Sequence, residues 1–549
     1  MVVTNSLASL VLLLSCANAL PSRSKGPAPV LPRPTIPYLE NPLEGLPVVS
    51  RNGTRLPDYT QAYYFNQLID HDNPSLGTFQ QRYYHTYEFY EPGGPIILLT
   101  PGEVDASAYT AYLTNLTING RIAQTLNGST IVLEHRFFGA SNPYNDLSVA
   151  SFRVHTVQQA IADLVYFAQN VQLPMPGGDQ LAPGKAPWIL IGGSYAGALT
   201  SYTMTSNPGV FTAGYASSAV VEAIVYVSTF EKPNSGRVLL TVTPHLRSDF
   251  WGYFEPVRKN MPANCSADVQ AVIAYVDSVI ASGDTTAIGA LKLTFGLPLG
   301  HDDDFAAALR LNLFTWQALQ PDSGPNQAFY QFCDALEVQN GVSASETGWG
   351  LDYALQAWGA YWNSTFYRQI CGNYGVETCL GTYDTTSPYS GWTYTGIPNA
   401  YRSWQWLVCT EFGFQQDGAP AGQPSIVSRV VTPEWGLRQC TYLFPGAFGD
   451  AAFASPNATG INAAYEGWDT TVENIVFASG TRDPWKEATV AAEGSTNPGS
   501  DAQPHLLSDG FHCSDMLIQE GAASASIKTV QDTAVSYIAQ WISQWTPTA

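Results

Sequence analysis

Four short apolar runs mark the first half of the chain: "PIILLT" (95–100), "TIVLEH" (130–135), "WILIGGS" (188–194) and "AGYASSAV" (213–220). Runs of this length without strict alternation predict strands buried on both faces. Between the second and third, Val157, Ile161, Leu164 and Ala168 recur at helical spacing behind Thr156, a helix N-cap by residue type. Strands alternating with helices predict an α/β fold with a parallel sheet covered on both faces. The pattern changes near residue 221. Val269, Val272, Ile273, Val276, Val279 and Ile280 trace a long helix, surrounded by aromatic-rich, Gly-interrupted stretches. After 440 the sheet resumes with "NIVFAS". The chain then ends in an amphipathic helix on Ile527, Val530, Ala534, Ile538, Trp541, Ile542 and Trp545. The expected organisation is a first sheet segment over 51–220, a mostly helical insertion over 221–440, and a second sheet segment over 441–549.

One strand carries a chemical signal. "WILIGGSYAG" drives a buried strand into Gly-Gly-Ser and then into small residues that open a helix. A serine on so tight a turn projects its Oγ above the sheet, as in the nucleophile elbow G-x-S-x-G. Gly192 and Ser194 fit, whereas Ala196 stands where the last glycine belongs and Gly197 follows it. A turn without chemistry is the competing account. An elbow serine needs a base, and the base a carboxylate that orients it. On this fold they follow in the chain order Ser, Asp, His. Asp483 in "GTRDPW" and His512 in "GFHCSD" occupy loops where that order requires them. The remaining histidines (His71, His85, His135, His245, His301 and His505) fit ordinary structural or surface roles better. "HDDDF" at 301–305 reads as a helix start with carboxylates on the dipole rather than a metal site. The tetrahedral intermediate needs two backbone N–H donors. Tyr195 supplies one candidate, and the Gly102–Glu103 backbone after the first run supplies the other. No metal and no cofactor enter this reading.

Composition narrows the setting. The 549 residues carry a net charge of −21, with only 13% charged residues and 45% hydrophobic ones. Phosphate binding needs Lys/Arg clusters, and none appears, so nucleic acid is excluded as a partner. The pI of about 4.6 fits an acidic medium, where many carboxylates lose charge and self-repulsion eases. The start, "MVVTNSLASLVLLLSCANAL", has the short apolar core and small-x-small end of a signal peptide over 1–19, although it lacks basic residues. Residues 20–50 are Pro-rich and read as a leader or pro-segment. No later run approaches the ~20 apolar residues of a membrane span. Asn52, Asn115, Asn127, Asn264, Asn363 and Asn457 head N-x-[ST] sequons, which predicts glycosylation and secretion or delivery to a vacuole or lysosome. Seven cysteines remain once Cys16 leaves with the signal. Spacing makes Cys371–Cys379 and Cys409–Cys440 local pairs and leaves Cys265–Cys333, with Cys513 free. Spacing alone does not fix connectivity.

"GGSYAG", "EHRFFG", "WQWLVCTEFGFQQ", "GTRDPW" and "GFHC" together resemble the lysosomal Pro-Xaa carboxypeptidase family of serine peptidases. "YFNQLIDHDNPSLGTFQQRYY" and "LTPGEV" are similar to the fungal acid prolyl endopeptidases within it. The resemblance runs from about Tyr63 to the C-terminal helix. It implies an α/β-hydrolase fold with a helical insertion over the site, cleavage on the carboxyl side of proline in peptides or proteins, and a triad of Ser194, Asp483 and His512. It also places the S1 tryptophan at Trp485. A prolyl ring is apolar and lacks an N–H, so a flat aromatic wall suits it. Tyr195 could close another side, and Glu103 could meet a substrate amine. Endopeptidase, Pro-Xaa carboxypeptidase and dipeptidyl peptidase remain open readings. An ester or lipid hydrolase, which shares the elbow, is a further one, and a catalytically dead binding protein is set against by the complete triad.

Overall fold

Apolar strands that bury both faces need neighbours on both sides, and the central sheet supplies them. The computed structural model describes residue 33 and residues 35–224, 250–386 and 391–547. The expected signal peptide, the leader up to residue 32 and His245 lie outside the described residues. Eight strands form one sheet: β1 (Ala62–Leu68), β2 (Thr78–Thr86), β3 (Ile96–Leu99), β4 (Ser129–Leu133), β5 (Trp188–Gly193), β6 (Ala213–Ser217), β7 (Ile475–Gly480) and β8 (His505–Ser508). Their order is β1-β2-β4-β3-β5-β6-β7-β8. The pairs β1–β2 and β2–β4 are antiparallel, and every later pair is parallel.

Every residue of β3, β4, β5, β6 and β7 is buried. Register sets Ile97 beside Ile189, and Ile189 beside Ala213. Each buried aliphatic side chain contributes roughly 1.5–3 kcal/mol to folding. β2 alternates exposed and buried positions over its first half, as an outlying antiparallel strand does. Helices α1 (Ile118–Leu126), α2 (Val157–Asn170) and α3 (Tyr195–Ser206) cover the sheet. Thr156 caps α2, its side chain accepting from the Gln159 N–H at 3.1 Å.

Between β6 and β7 the chain leaves the sheet for a helical insertion. It includes α4 (Ala263–Ala281), α5 (Ala328–Glu337), α6 (Leu351–Tyr361), α7 (Ala400–Leu407) and α8 (Pro433–Leu443). Three disulfides staple it: Cys265–Cys333, Cys371–Cys379 and Cys409–Cys440. Cys513 is free and buried. At 301–305 the carboxylates do open a helix, Asp302–Leu309. Asp304 also reaches across to accept from Thr382 and from the Trp435 indole, which ties that helix to its neighbours. The last helix, α9 (Ala525–Gln544), buries Ile527, Val530, Ala534, Ile538 and Trp541 against the sheet. This sheet order with an insertion after β6 is the α/β-hydrolase fold. Among the described residues no helix is long and apolar enough to cross a membrane.

Candidate active site

The elbow is built by what cannot fit around it. A Cβ on Gly192 would stand 2.0 Å from the Ala196 carbonyl oxygen, and one on Gly193 would strike Ile36 and Met516 at 2.5 Å. Ser194 lies between these glycines and α3 at φ 60, ψ −123, a conformation that costs a non-glycine residue about 1–3 kcal/mol. Its N–H donates to the Ser217 carbonyl at 2.7 Å, which pins the turn to β6. The departure from G-x-S-x-G has a spatial reason. Gly197 is the position that presses on β6, where a Cβ would meet the Ser217 oxygen at 2.9 Å and Ala219 at 3.0 Å. Ala196 instead turns its methyl toward the Gly102 loop.

Loops at the same end of the sheet deliver the other two groups. Asp483 follows β7 and His512 follows β8. His512 Nε2 lies 2.7 Å from Ser194 Oγ, and its Nδ1 lies 2.8 Å from Asp483 Oδ1. This places Nδ1–H as donor to the carboxylate and Nε2 as acceptor from the hydroxyl. The Trp485 N–H also donates to Asp483 Oδ1, at 2.8 Å. All three side chains are buried, Ser194 and Asp483 completely. Burial alone would lower the His512 pKa, but the Asp483 carboxylate, with Cys513 beside it, outweighs burial and holds the imidazole well above its usual range. Burial pushes the neighbouring Cys513 thiol up, against the opposing pull of His512. Its backbone N–H donates to Ser218 Oγ at 3.0 Å and steadies the histidine loop.

The proposed oxyanion positions flank Ser194. Tyr195 begins α3, so its N–H belongs to the unpaired first turn of a helix, where partial positive charge collects. Its ring packs on Trp404, Phe412 and His135, and its hydroxyl lies 3.0 Å from His135 Nε2. Gly102 takes φ 76, and a Cβ there would touch Ala196 at 3.4 Å, so this loop abuts the elbow. The Glu103 carboxyl is buried, and neither oxygen meets a hydrogen-bond partner from another described residue. Burial pushes it up to about 8, against its own backbone N–H and the charges on Arg33 and His512.

Trp485 is fully buried in an aromatic cluster with Phe250, Tyr253 and Phe414, at centroid distances of 5.5, 5.3 and 5.4 Å. Its indole N–H donates to Gln317 Oε1 at 2.8 Å. The motifs did not reveal Gln317, nor its neighbours Trp316 and Gln320. The Trp316 indole donates to the Arg482 carbonyl at 2.8 Å. Gln320 donates to the His512 carbonyl at 3.3 Å and accepts from Ser514 Oγ at 2.6 Å. One turn of the insertion thus fastens both loops. Arg33 was not foreseen either. It donates to the Glu103 carbonyl at 2.9 Å. The sequon asparagines lie apart from this cluster. Asn52, Asn363 and Asn457 are exposed, and Asn115, Asn127 and Asn264 are half-buried. Among the described residues no group of three or more His, Cys, Asp or Glu is placed to hold a metal ion.

Known proteins resemble this chain in sequence. The profile of the family described as serine carboxypeptidase S28 matches residues 67–239 and 244–534. The serine protease vicPa of Bipolaris victoriae (strain FI3) is 34% identical over 87% of this chain and 88% of its own length. A second protease of that fungus, vicPb, is 31% identical over 87% of this chain and 88% of its own. A probable extracellular serine carboxypeptidase of Arthroderma benhamiae is 28% identical over 84% of this chain and 64% of its own. With both sheet segments and the insertion inside the match, the chain belongs to the serine carboxypeptidase S28 family and is a serine-type peptidase.

Proposed function

We propose that this peptidase is secreted and hydrolyses peptide bonds on the carboxyl side of proline, with Ser194 as nucleophile, His512 as general base and acid, and Asp483 as the group that holds the imidazole tautomer. The observation that carries the proposal is the unbroken relay from Asp483 to His512 to Ser194, at 2.8 and 2.7 Å, beside the Trp485 cluster. As Ser194 Oγ attacks the carbonyl, its proton passes to His512 Nε2. The imidazolium formed is stabilised by Asp483. The oxyanion meets the N–H groups of Tyr195 and of the Gly102–Glu103 backbone. His512 returns the proton to the leaving amine. Water then enters by the same base and releases Ser194. The aromatic cluster offers flat apolar walls that suit a prolyl ring.

Secretion is supported by the signal-like start, the six sequons, the three disulfides and the extracellular relative. A vacuole or lysosome offers the same oxidising route. The low pI supports an acidic medium. A second reading, release of dipeptides from the amino terminus, is favoured by the buried, unpartnered Glu103 carboxyl next to the relay. Digestion of a defined protein, followed by mass spectrometry of the products, tests these readings together. Internal cuts after proline are expected. Products limited to amino-terminal dipeptides would move the chain to the second reading, and products lacking single carboxyl-terminal residues only would make it a carboxypeptidase. Cuts with no preference for proline would end the proposal.

A further inference from the structure

Ser194 and Trp485 are completely buried and His512 is 1% exposed. An extended peptide therefore cannot reach Ser194 Oγ until something covering it moves. One segment packed beside this site comes from the chain's own amino-terminal side. Arg33 is partly buried, and its Nη1 donates to the Glu103 carbonyl at 2.9 Å. Its own carbonyl accepts from Gln317 Nε2 at 2.7 Å, and the other end of that same amide holds the Trp485 indole. Ile36, 1% exposed, seals against Gly193, the residue before the elbow serine. The Tyr112 hydroxyl fixes the Pro37 carbonyl at 2.8 Å. The segment thus joins the expected oxyanion loop to the expected proline pocket through the Arg33 guanidinium and its backbone carbonyl.

We propose that this leader segment is a built-in inhibitor of the peptidase, with Arg33 occupying substrate-binding positions on Glu103 and Gln317. The inference rests on the proposed role of Ser194. A strap that served stability alone would need only Ile36 and its apolar neighbours. An arginine beside the reacting groups is costly to desolvate and gains its partners from the site itself. The tether that makes the inhibitor effective is exposed. Residues 42–46 form a turn in which Glu44, Gly45 and Leu46 face solvent, Leu46 at 55%. Beyond it Val48 is buried again, paired to Leu56 through its carbonyl. A cut in that turn leaves the rest anchored and turns an intramolecular ligand into a dissociable peptide, which removes its effective concentration.

The test uses the full chain with a site-specific protease sequence placed at residues 43–46. Hydrolysis of an internally quenched proline peptide is measured before and after the cut. We expect kcat/KM to rise roughly tenfold or more on cutting. A synthetic peptide spanning 20–44 should compete the gain away, and Arg33→Ala in the uncut chain should show part of it. Should the cut chain unfold, the joined Arg33→Ala chain decides alone. Equal kcat/KM in the intact, cut and Arg33→Ala chains would overturn the inference. A fluorophosphonate probe keeps the two readings apart. Labelling at Ser194 with equal rates sinks only the inhibitor, whereas no labelling of Ser194 in any form, cut or uncut, sinks the assignment of the nucleophile.

Discussion

On the proposed mechanism Ser194 holds a strained backbone at φ 60 because attack needs its Oγ above the sheet and within 2.7 Å of His512. On the proposed mechanism the three residues act as a unit. Ser194→Ala should therefore lower kcat/KM by on the order of 10⁴-fold or more. Asp483→Asn should approach that loss, since an amide favours the wrong imidazole tautomer. Near-normal turnover in either purified variant would remove that residue from the relay. Trp485→Ala asks a different question, because this side chain both anchors its loop through Gln317 and faces the aromatic cluster. If it forms the proline wall, the variant loses roughly 2–4 kcal/mol of transition-state binding for a proline substrate. It should lose much less for the matching alanine substrate. Steady-state kinetics on both decide, and an equal loss with a lowered Tm makes Trp485 structural only. That Ser194, Asp483 and His512 come together in space was legible because each sits in a glycine-marked loop in the chain order of the fold. Arg33, Gln317 and Ser218 were not legible. Each is a lone polar residue whose role comes from folding distant segments together, and no local pattern marks it.

At the scale of elements, the strands legible in the sequence are those buried on both faces. β3, β4, β5 and β6 appear within a residue or two of their apolar runs, except that β6 ends at Ser217 and the chain then turns away. β1 and β2 were not singled out as strands. Their stretches, "AYYFNQL" and "TFQQRYYHT", mix glutamines with tyrosines because they lie at the partly exposed, antiparallel side of the sheet. Two of the three bridges close short loops, which made those pairs plausible from spacing, and the third joins the cysteines left over. The strand–helix elbow invites a direct test. Gly192 is required by space, its absent Cβ lying 2.0 Å from a backbone oxygen that cannot swing aside. Gly192→Ala should force β5 and α3 apart, cost roughly 1–3 kcal/mol of stability and displace Ser194 enough to lower kcat on the order of 100-fold. A thermal melt with a kinetic assay checks both. Wild-type values in each would mean that the elbow yields more easily than its geometry implies.

Over the whole molecule, charge and burial together set the response to pH. Burial pushes Glu103 up to about 8 and Glu411 up to about 7, with the Val157 N–H pulling Glu411 back only in part. Unfolded, both would titrate near 4.3. Between those values the folded chain keeps protons that the unfolded chain has released. Their contribution to stability is full below the unfolded pKa and is lost as pH rises through 7 and 8. His512, held high by Asp483 against its burial, acts in the same direction, with its share lost as pH climbs past its folded value. Other buried histidines oppose them. Burial holds His85 down to about 3 and His135 down to about 4, so below about 6.5 the unfolded chain gains protons the folded one refuses. The Tm should therefore climb as pH falls from 8 to 6.5, flatten toward 5, and drop below about 4.5 once the carboxyls are saturated and the histidines still resist. Turnover should move the other way. On the proposed mechanism His512 must be neutral to act as a base, so kcat/KM should rise with pH through its elevated pKa. In an acidic medium the chain is then at its sturdiest but runs below its highest rate. Melts at pH 8, 6.5, 5 and 3.5 beside a pH–rate profile test both limbs. In the Glu103→Gln, Glu411→Gln double variant the climb between pH 8 and 6.5 should shrink. A wild-type Tm that rises steadily from pH 5 to 8 would refute the stability argument, and a rate maximum in acid would show that Asp483 does not hold the His512 proton in the free enzyme.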